Sequence, residues 1–168
     1  FAFIRTVPAV EGRVRGHDLP FPFSIRRSLG LWKLAFLDGR MFQPDSAKSA
    51  SWNRGAYLTE GPGHCAECHS PRNALGVIPA EHRFSGGPNP ERKGWVPNIT
   101  PDATGIKGWT RSDVVEVLTS GLTPFGDSVG SNMASVVRNM AQIPEADRAA
   151  IAEYLLSLPP QVGRKGPQ

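Results

Sequence analysis

Cys65-Ala66-Glu67-Cys68-His69 puts two thiols and an imidazole within five positions. A C-x-x-C pair followed at once by His is the attachment signature of a c-type haem. The spacing has a physical reason. The two thiols must reach two vinyl groups along one porphyrin edge, and the next residue must turn its imidazole beneath the iron. One tight helical turn places all three on one face. Thioether bonds then hold the group without a large pocket, which suits a chain rich in turns.

Two rival chemistries share the first four residues. A thioredoxin-type C-x-x-C pair needs a βαβ setting, and no such pattern is visible. A structural zinc site needs two more ligands at finger-like spacing. The chain has only two cysteines, and His64 and His82 are not arranged that way. A disulfide framework is excluded for the same reason. One covalent haem c is therefore expected, with His69 as one iron ligand.

Six side chains are candidates for the other axial position: Met41, Met133, Met140, His17, His64 and His82. His64 abuts the motif and is badly placed to reach the opposite face. Met41 lies in a polar stretch before the motif. Met133 follows a Gly-rich loop, Gly121 to Gly130, and opens a short helical pattern. Such a loop can lay a thioether over an iron. Met140 falls on the same helical face and reads as core. Met133 is the preferred ligand. His/Met ligation raises the haem potential and saturates the iron, which points to electron transfer. The alternatives are a haem enzyme, peroxidase-like or sulfur-oxidising, and a haem ligand sensor; each needs an exchangeable sixth position.

The elements that must carry these residues are short and helical. Gly (18) and Pro (16) are abundant among the 168 residues, so turns are frequent and no sheet is evident. A helix end runs into Pro8, and residues 25–38 form a helical pattern around Ile25, Leu29, Trp32, Leu34, Phe36 and Leu37. From Trp52 to Glu60 two helical turns precede the Gly61-Pro62-Gly63 stop. Residues 70–108 are loop-rich. Thr110 and Asp113 form a capping box, opening a helix that stops at Gly121. Met133, Val136, Val137 and Met140 have amphipathic helical spacing. A last helix spans roughly 144–158 and ends at Pro159-Pro160.

The formal charge is +4, and all of the surplus lies early. Residues 1–50 hold eight basic and four acidic side chains, while 51–168 hold eleven of each. A basic arm beside a neutral body suits an acidic partner or an ordinary solvated surface. No basic helix or aromatic-interleaved basic stripe points to nucleic acid. No apolar run approaches the roughly 20 residues that span a bilayer. Membrane association is expected only through partners or missing segments.

The chain resembles the class I-type bacterial cytochromes c that serve as subunits of periplasmic dehydrogenases acting on alcohols, gluconate, aldehydes and similar substrates. The resemblance rests on Asn53-Arg-Gly-Ala-Tyr-Leu58, Gly63-His-Cys-Ala-Glu-Cys-His-Ser-Pro-Arg-Asn73, Pro97-Asn-Ile-Thr-Pro-Asp102, Gly105-Ile106, Trp109, Ala149-Ala-Ile-Ala-Glu-Tyr-Leu155 and Leu158-Pro159. It covers about 52–160. It implies an all-α, cytochrome c-like fold around one covalent haem. It also implies an axial methionine before the last helix, where Met133 stands. Residues 1–51 form an arm, and 161–168 a flexible tail. Phe21-Pro-Phe-Ser, Arg26-Arg27 and Trp32-Lys33 resemble the connector between the first and second haem domains of multi-haem subunits. Two explanations stand for a connector without an earlier C-x-x-C-H. The chain is the C-terminal part of a di-haem protein, the favoured reading, or a single-haem form that kept the connector.

Arg72, Trp95, Asn98 and Trp109 are expected at the haem propionates or edge, and Gly55, Tyr57, Ala150 and Tyr154 at the crossing of the first and last domain helices. The expected partners are redox proteins: a dehydrogenase subunit, another cytochrome or an oxidase. The expected site is the periplasm or the periplasmic face of the inner membrane.

Overall fold

The computed structural model describes residues 2–90 and 94–163. It divides into two units, Phe1–Arg40 and Met41–Gln168. Among the described residues there are seven α-helices and one small sheet. The all-α expectation holds, with that sheet as its one exception. No helix among these residues is long and apolar enough to cross a membrane.

The first unit holds α1 (Ala2–Thr6) and α2 (Ser28–Phe36). The α2 helix is shorter than the 25–38 pattern: Leu37 is already extended, and Ser24, Ile25 and Arg26 sit in turns after Pro22. Neither helix buries a side chain. Trp32, stacked at a tilt on Phe36 with centroids 5.5 Å apart, is half-buried. The rest of the described unit is exposed.

In the second unit, α3 (Ala50–Glu60) begins two residues before Trp52 because Ser49 caps it, its hydroxyl accepting from the Trp52 amide at 2.9 Å. Residues 41–51 belong to this unit, whereas the sequence places them in the arm. The reason is local. The Asn53 side chain takes the Asp45 amide at 2.6 Å and donates to the carbonyls of Asp45 and Ser49 at 2.8 and 3.0 Å. The Phe42 ring meets Tyr57 edge-on, with centroids 5.7 Å apart.

Further along come α4 (Cys65–His69), α5 (Arg111–Ser120), α6 (Met133–Met140) and α7 (Glu145–Leu156). The α5 capping box is complete: Thr110 accepts from the Asp113 amide, and the Asp113 carboxylate accepts from the Thr110 amide at 2.7 Å. Gly121 ends the helix at φ 84°. The sheet is an antiparallel ladder of β1 (Gly87–Pro88) and β2 (Trp95–Val96), pairing Gly87 with Val96 and Pro88 with Trp95.

The core forms where α3, α5 and α7 meet. Ala56, Val114, Leu118, Ile151, Ala152 and Leu155 are buried there with Ala66 of α4, Phe84 and Ile106. Each large apolar side chain so buried contributes about 1.5–3 kcal/mol. Helices α3 and α7 cross so closely that a Cβ on Gly55 would lie 1.9 Å from the Ala150 carbonyl oxygen. Tyr154 packs here too, edge-on to Trp52 at 5.1 Å, with its hydroxyl donating to Glu60 at 2.6 Å. Tyr57 does not. It points outward to Phe42, because only one face of α3 meets α7. Glu153 joins the three helices, accepting from Ser49 and Ser51 of the α3 start at 2.7 and 2.6 Å and pairing with Arg111 of α5 at 3.6 Å.

Residues 161–163 are tied to the body. The Gln161 carbonyl accepts from Asn98 at 2.7 Å, and the Gly163 amide donates to Thr104 at 2.8 Å. The expected flexible tail begins in this bonded stretch, and its remainder, 164–168, lies outside the described residues.

Candidate functional site

The single turn of α4 carries the whole motif. The chain reaches it through Gly61-Pro62-Gly63, where the Gly63 amide donates back to Leu58 at 2.8 Å. His64 then adopts the left-handed conformation, φ 35° and ψ 41°, directly before Cys65. A non-glycine residue there is strained, and such strain gathers at functional sites. Cys65 and Cys68 are not joined in a disulfide, and both are half-buried. Burial pushes the Cys65 thiol up to about 11. Cys65 packs against the hydrophobic core.

His69 ends the helix. Its Nδ1 lies 2.8 Å from the Pro97 carbonyl oxygen. A carbonyl only accepts, so Nδ1 carries the proton and Nε2 keeps its lone pair. Burial pushes the imidazole pKa down, with the Pro97 bond opposing it, and the ring is held neutral. A neutral imidazole with one nitrogen engaged and the other available is the state a metal takes.

Backbone contacts fix that carbonyl. The Gly86 amide donates to the His69 carbonyl at 2.8 Å, and the Ile99 amide to Phe84 at 3.0 Å. The buried Ser70 hydroxyl accepts from the Phe84 amide at 2.9 Å. Gly86 sits at φ 77°, and a Cβ on it would lie 2.6 Å from the Val96 oxygen and 2.7 Å from the Asn98 nitrogen. The β1–β2 ladder leads directly into Pro97. Three segments, 69–71, 84–87 and 95–99, are thus packed backbone to backbone beside α4.

Met133 opens α6 and is half-buried against the same core as Cys65. The loop before it folds on itself, with a bridge between Leu122 and Ser128 and the Val129 amide bonded to Gly121 at 2.9 Å. Ser131, two residues ahead of Met133, is left-handed at φ 53°. Met140, at the other end of α6, also packs on the core. Met41 is 81% exposed, and His17, His64 and His82 are exposed.

The other expected site residues fall in different places. Arg72 is paired with Glu67 and donates to the Gly76 carbonyl at 2.7 Å. With His64, Glu67, Cys68 and Pro90 it lines an open groove of about 560 Å³ beside the motif. Trp109 is half-buried against the core and meets the exposed Phe125 ring edge-on at 6.4 Å. Trp95 is half-buried in β2. Asn98 is buried, and its side chain serves the loop. It donates to Thr104 and Gln161 at 2.9 and 2.7 Å and accepts from the Thr100 amide and hydroxyl, both at 2.8 Å. Its polar atoms are fully engaged without a ligand. Sequence reasoning missed Ser70, Gly86 and the Pro97 carbonyl. Ser70 lies within the run Gly63 to Asn73 and Pro97 opens the run Pro97-Asn98-Ile99-Thr100, but the value of both rests in backbone contacts that no residue type announces.

No family model matches the chain. A diheme cytochrome c-type protein of Cereibacter sphaeroides is 46% identical over 158 residues, covering 94% of this chain and 52% of the relative. The fructose dehydrogenase cytochrome subunit of Gluconobacter japonicus is 37% identical over 163 residues, covering 95% and 33%. This chain is a homologue of cytochrome c subunits of bacterial dehydrogenases. The gluconate 2-dehydrogenase cytochrome c subunit of Pantoea cypripedii adds 30% identity over 164 residues, covering 93% and 37%. The chain therefore spans about half of the first relative's length and about a third of the others'. The two dehydrogenase relatives are named as cytochrome subunits, which agrees with an electron carrier and not a catalytic subunit.

The residues present fit a haem c. Two cysteines outside any disulfide share one helical turn, and the following imidazole is neutral, with Nδ1 engaged by Pro97. Among the described residues no group of three His, Cys, Asp or Glu side chains is placed to hold a bare metal ion.

Proposed function

We propose that the second unit of this cytochrome homologue holds one covalent haem c and passes single electrons between protein partners. Cys65 and Cys68 would anchor the group, and His69 and Met133 would ligate its iron. When bound, the haem supplies a one-electron Fe(III)/Fe(II) couple. The chain's residues hold and tune it. The Pro97 carbonyl orients the His69 ring and strengthens its donation. The buried core beneath α4 keeps water from one side, and the groove beside Cys68 leaves the motif's edge accessible.

The observation that carries this reading is the 2.8 Å contact from His69 Nδ1 to Pro97, at the end of a turn bearing both cysteines. Support for Met133 comes from its half-burial on the core that also takes Cys65, and from the exposure of Met41 and the three other histidines. The relatives named as dehydrogenase cytochrome subunits support a dehydrogenase subunit as the donor. In this reading the electrons then pass on towards the respiratory chain. A periplasmic setting follows from the same reading. Residues 1–40 serve as a connector to a preceding haem unit; the relative named as diheme, half of whose length this chain spans, supports that role. The basic surplus of this segment, seven cationic side chains against three anionic, suits an acidic partner.

The test is the weak red absorption band of a ferric thioether–iron bond. Wild-type protein shows it, Met133→Ala loses it, and Met140→Ala keeps it. Retention in Met133→Ala refutes the ligand assignment.

A further inference from the structure

The α6 helix is only eight residues long, and a helix of that length is marginal by itself. Asn132 supplies no side-chain cap at its start. On its inner face Val137 is the one buried residue, meeting Gly121. Its far end is held by an unusual group. Arg148, in the first turns of α7, is 8% exposed. Its Nη1 donates to the carbonyls of Met140, Ala141 and Ile143 at 2.9, 3.3 and 2.6 Å. Its Nε is buried with no hydrogen-bond partner, and among the described residues it has no carboxylate in ion-pair range.

A buried cation without a counter-ion is costly unless other groups compensate. Here the compensation is the Met140 carbonyl at the negative end of α6 together with the Ala141 and Ile143 carbonyls of the turn that follows it. The guanidinium therefore fixes where α6 ends along its axis. Met133 is the first residue of the same short helix of about two turns, so whatever fixes the end also fixes the start.

We propose that Arg148 is a positioning residue for the axial methionine, holding α6 so that the Met133 thioether stays within reach of the iron. This rests on the Met133 assignment above.

The experiment uses the haem-loaded full chain and reads carbon monoxide binding to the ferrous form, where the gas must displace the sixth ligand. The ferric red band and circular dichroism accompany it. Arg148→Ala is expected to bind carbon monoxide about tenfold faster and to weaken the band, the tenfold corresponding to about 1.4 kcal/mol lost from the thioether bond. Arg148→Lys, which keeps three donors, returns the rate close to wild type. Asp147→Asn, on the same turn but paired outward with Arg54, controls for plain destabilisation. A wild-type rate in Arg148→Ala overturns the proposal, as does an equal acceleration in Asp147→Asn. Should Arg148→Ala fail to fold, Arg148→Gln decides: an intermediate rate supports the clamp, and a wild-type rate overturns it. If wild type lacks the red band, or Met133→Ala keeps it, the ligand assignment falls and the clamp with it. If the band behaves as assigned while every Arg148 variant matches wild type, only the clamp falls.

Discussion

The His69 imidazole donates from Nδ1 to the carbonyl oxygen of Pro97, 28 residues away, at 2.8 Å. A side chain read at once from the motif is thus oriented by a backbone atom that no motif names. Because the acceptor is a carbonyl, no side-chain replacement removes it directly. What can be changed is the packing that holds it.

Gly86 is the handle. Its φ of 77° and the 2.6 Å approach of a would-be Cβ to the Val96 oxygen leave no room for a methyl group. Gly86→Ala is expected to push the 95–99 segment away from His69. The ligand becomes a poorer donor, so the midpoint potential rises. Stability falls by about 1–3 kcal/mol. Potentiometry beside thermal unfolding checks both, and a lower or unchanged potential contradicts the role given to Pro97.

Gly55→Ala tests the helix crossing. A Cβ 1.9 Å from the Ala150 carbonyl forces α3 and α7 apart. The expected loss is about 3 kcal/mol or more, at the upper end of overpacking costs. Chemical denaturation reads it. Tyr57→Ala, on the outer face of α3, should cost far less.

Tyr154→Phe removes the 2.6 Å hydrogen bond to Glu60 and leaves that carboxylate with Arg83 alone. Hydrogen bonds to charged groups contribute about 1.5–3 kcal/mol. A loss in that range is expected, with the haem spectrum unchanged. Burial and the Glu60 bond hold the Tyr154 pKa well above the ordinary tyrosine range, so its phenol should stay protonated in alkaline titration.

Stability should fall in acid. Hydrogen bonds hold several carboxylates below their ordinary pKa: Asp147 from Arg54, Glu153 from Ser51 and Ser49, Asp102 from Thr104 and Asp113 from Thr110. A carboxylate with a lowered folded pKa stabilises above its unfolded value, about 4, and that contribution is lost as pH falls further. Unfolding midpoints measured from pH 6 downward should therefore drop below about pH 4. Asp147→Asn should make that drop shallower.

What the sequence reveals and conceals divides by distance along the chain. The haem turn, the Thr110–Asp113 capping box and the Gly121 stop are local, each set by residues within four positions, and all are legible. The Gly55–Ala150 crossing is visible because small residues stand where two helices must touch. The β1–β2 ladder is not legible, since two strands of two residues leave no periodic pattern. Nor is the role of Asn98: its residue type suits a cofactor contact, whereas its side chain binds Thr100, Thr104 and the Gln161 backbone. Tyr57 and the 41–51 segment err for the same reason. Their partners, Phe42 and Asn53, follow from how the chain turns into α3, not from composition.

One haem is expected, bound covalently by Cys65 and Cys68. A mass spectrum of the intact chain under denaturing conditions, after treatment with a thiol alkylator, tests it directly. The expected result is the mass of the chain plus one haem, with neither cysteine alkylated. The mass of the chain alone, carrying two alkyl groups, would contradict it.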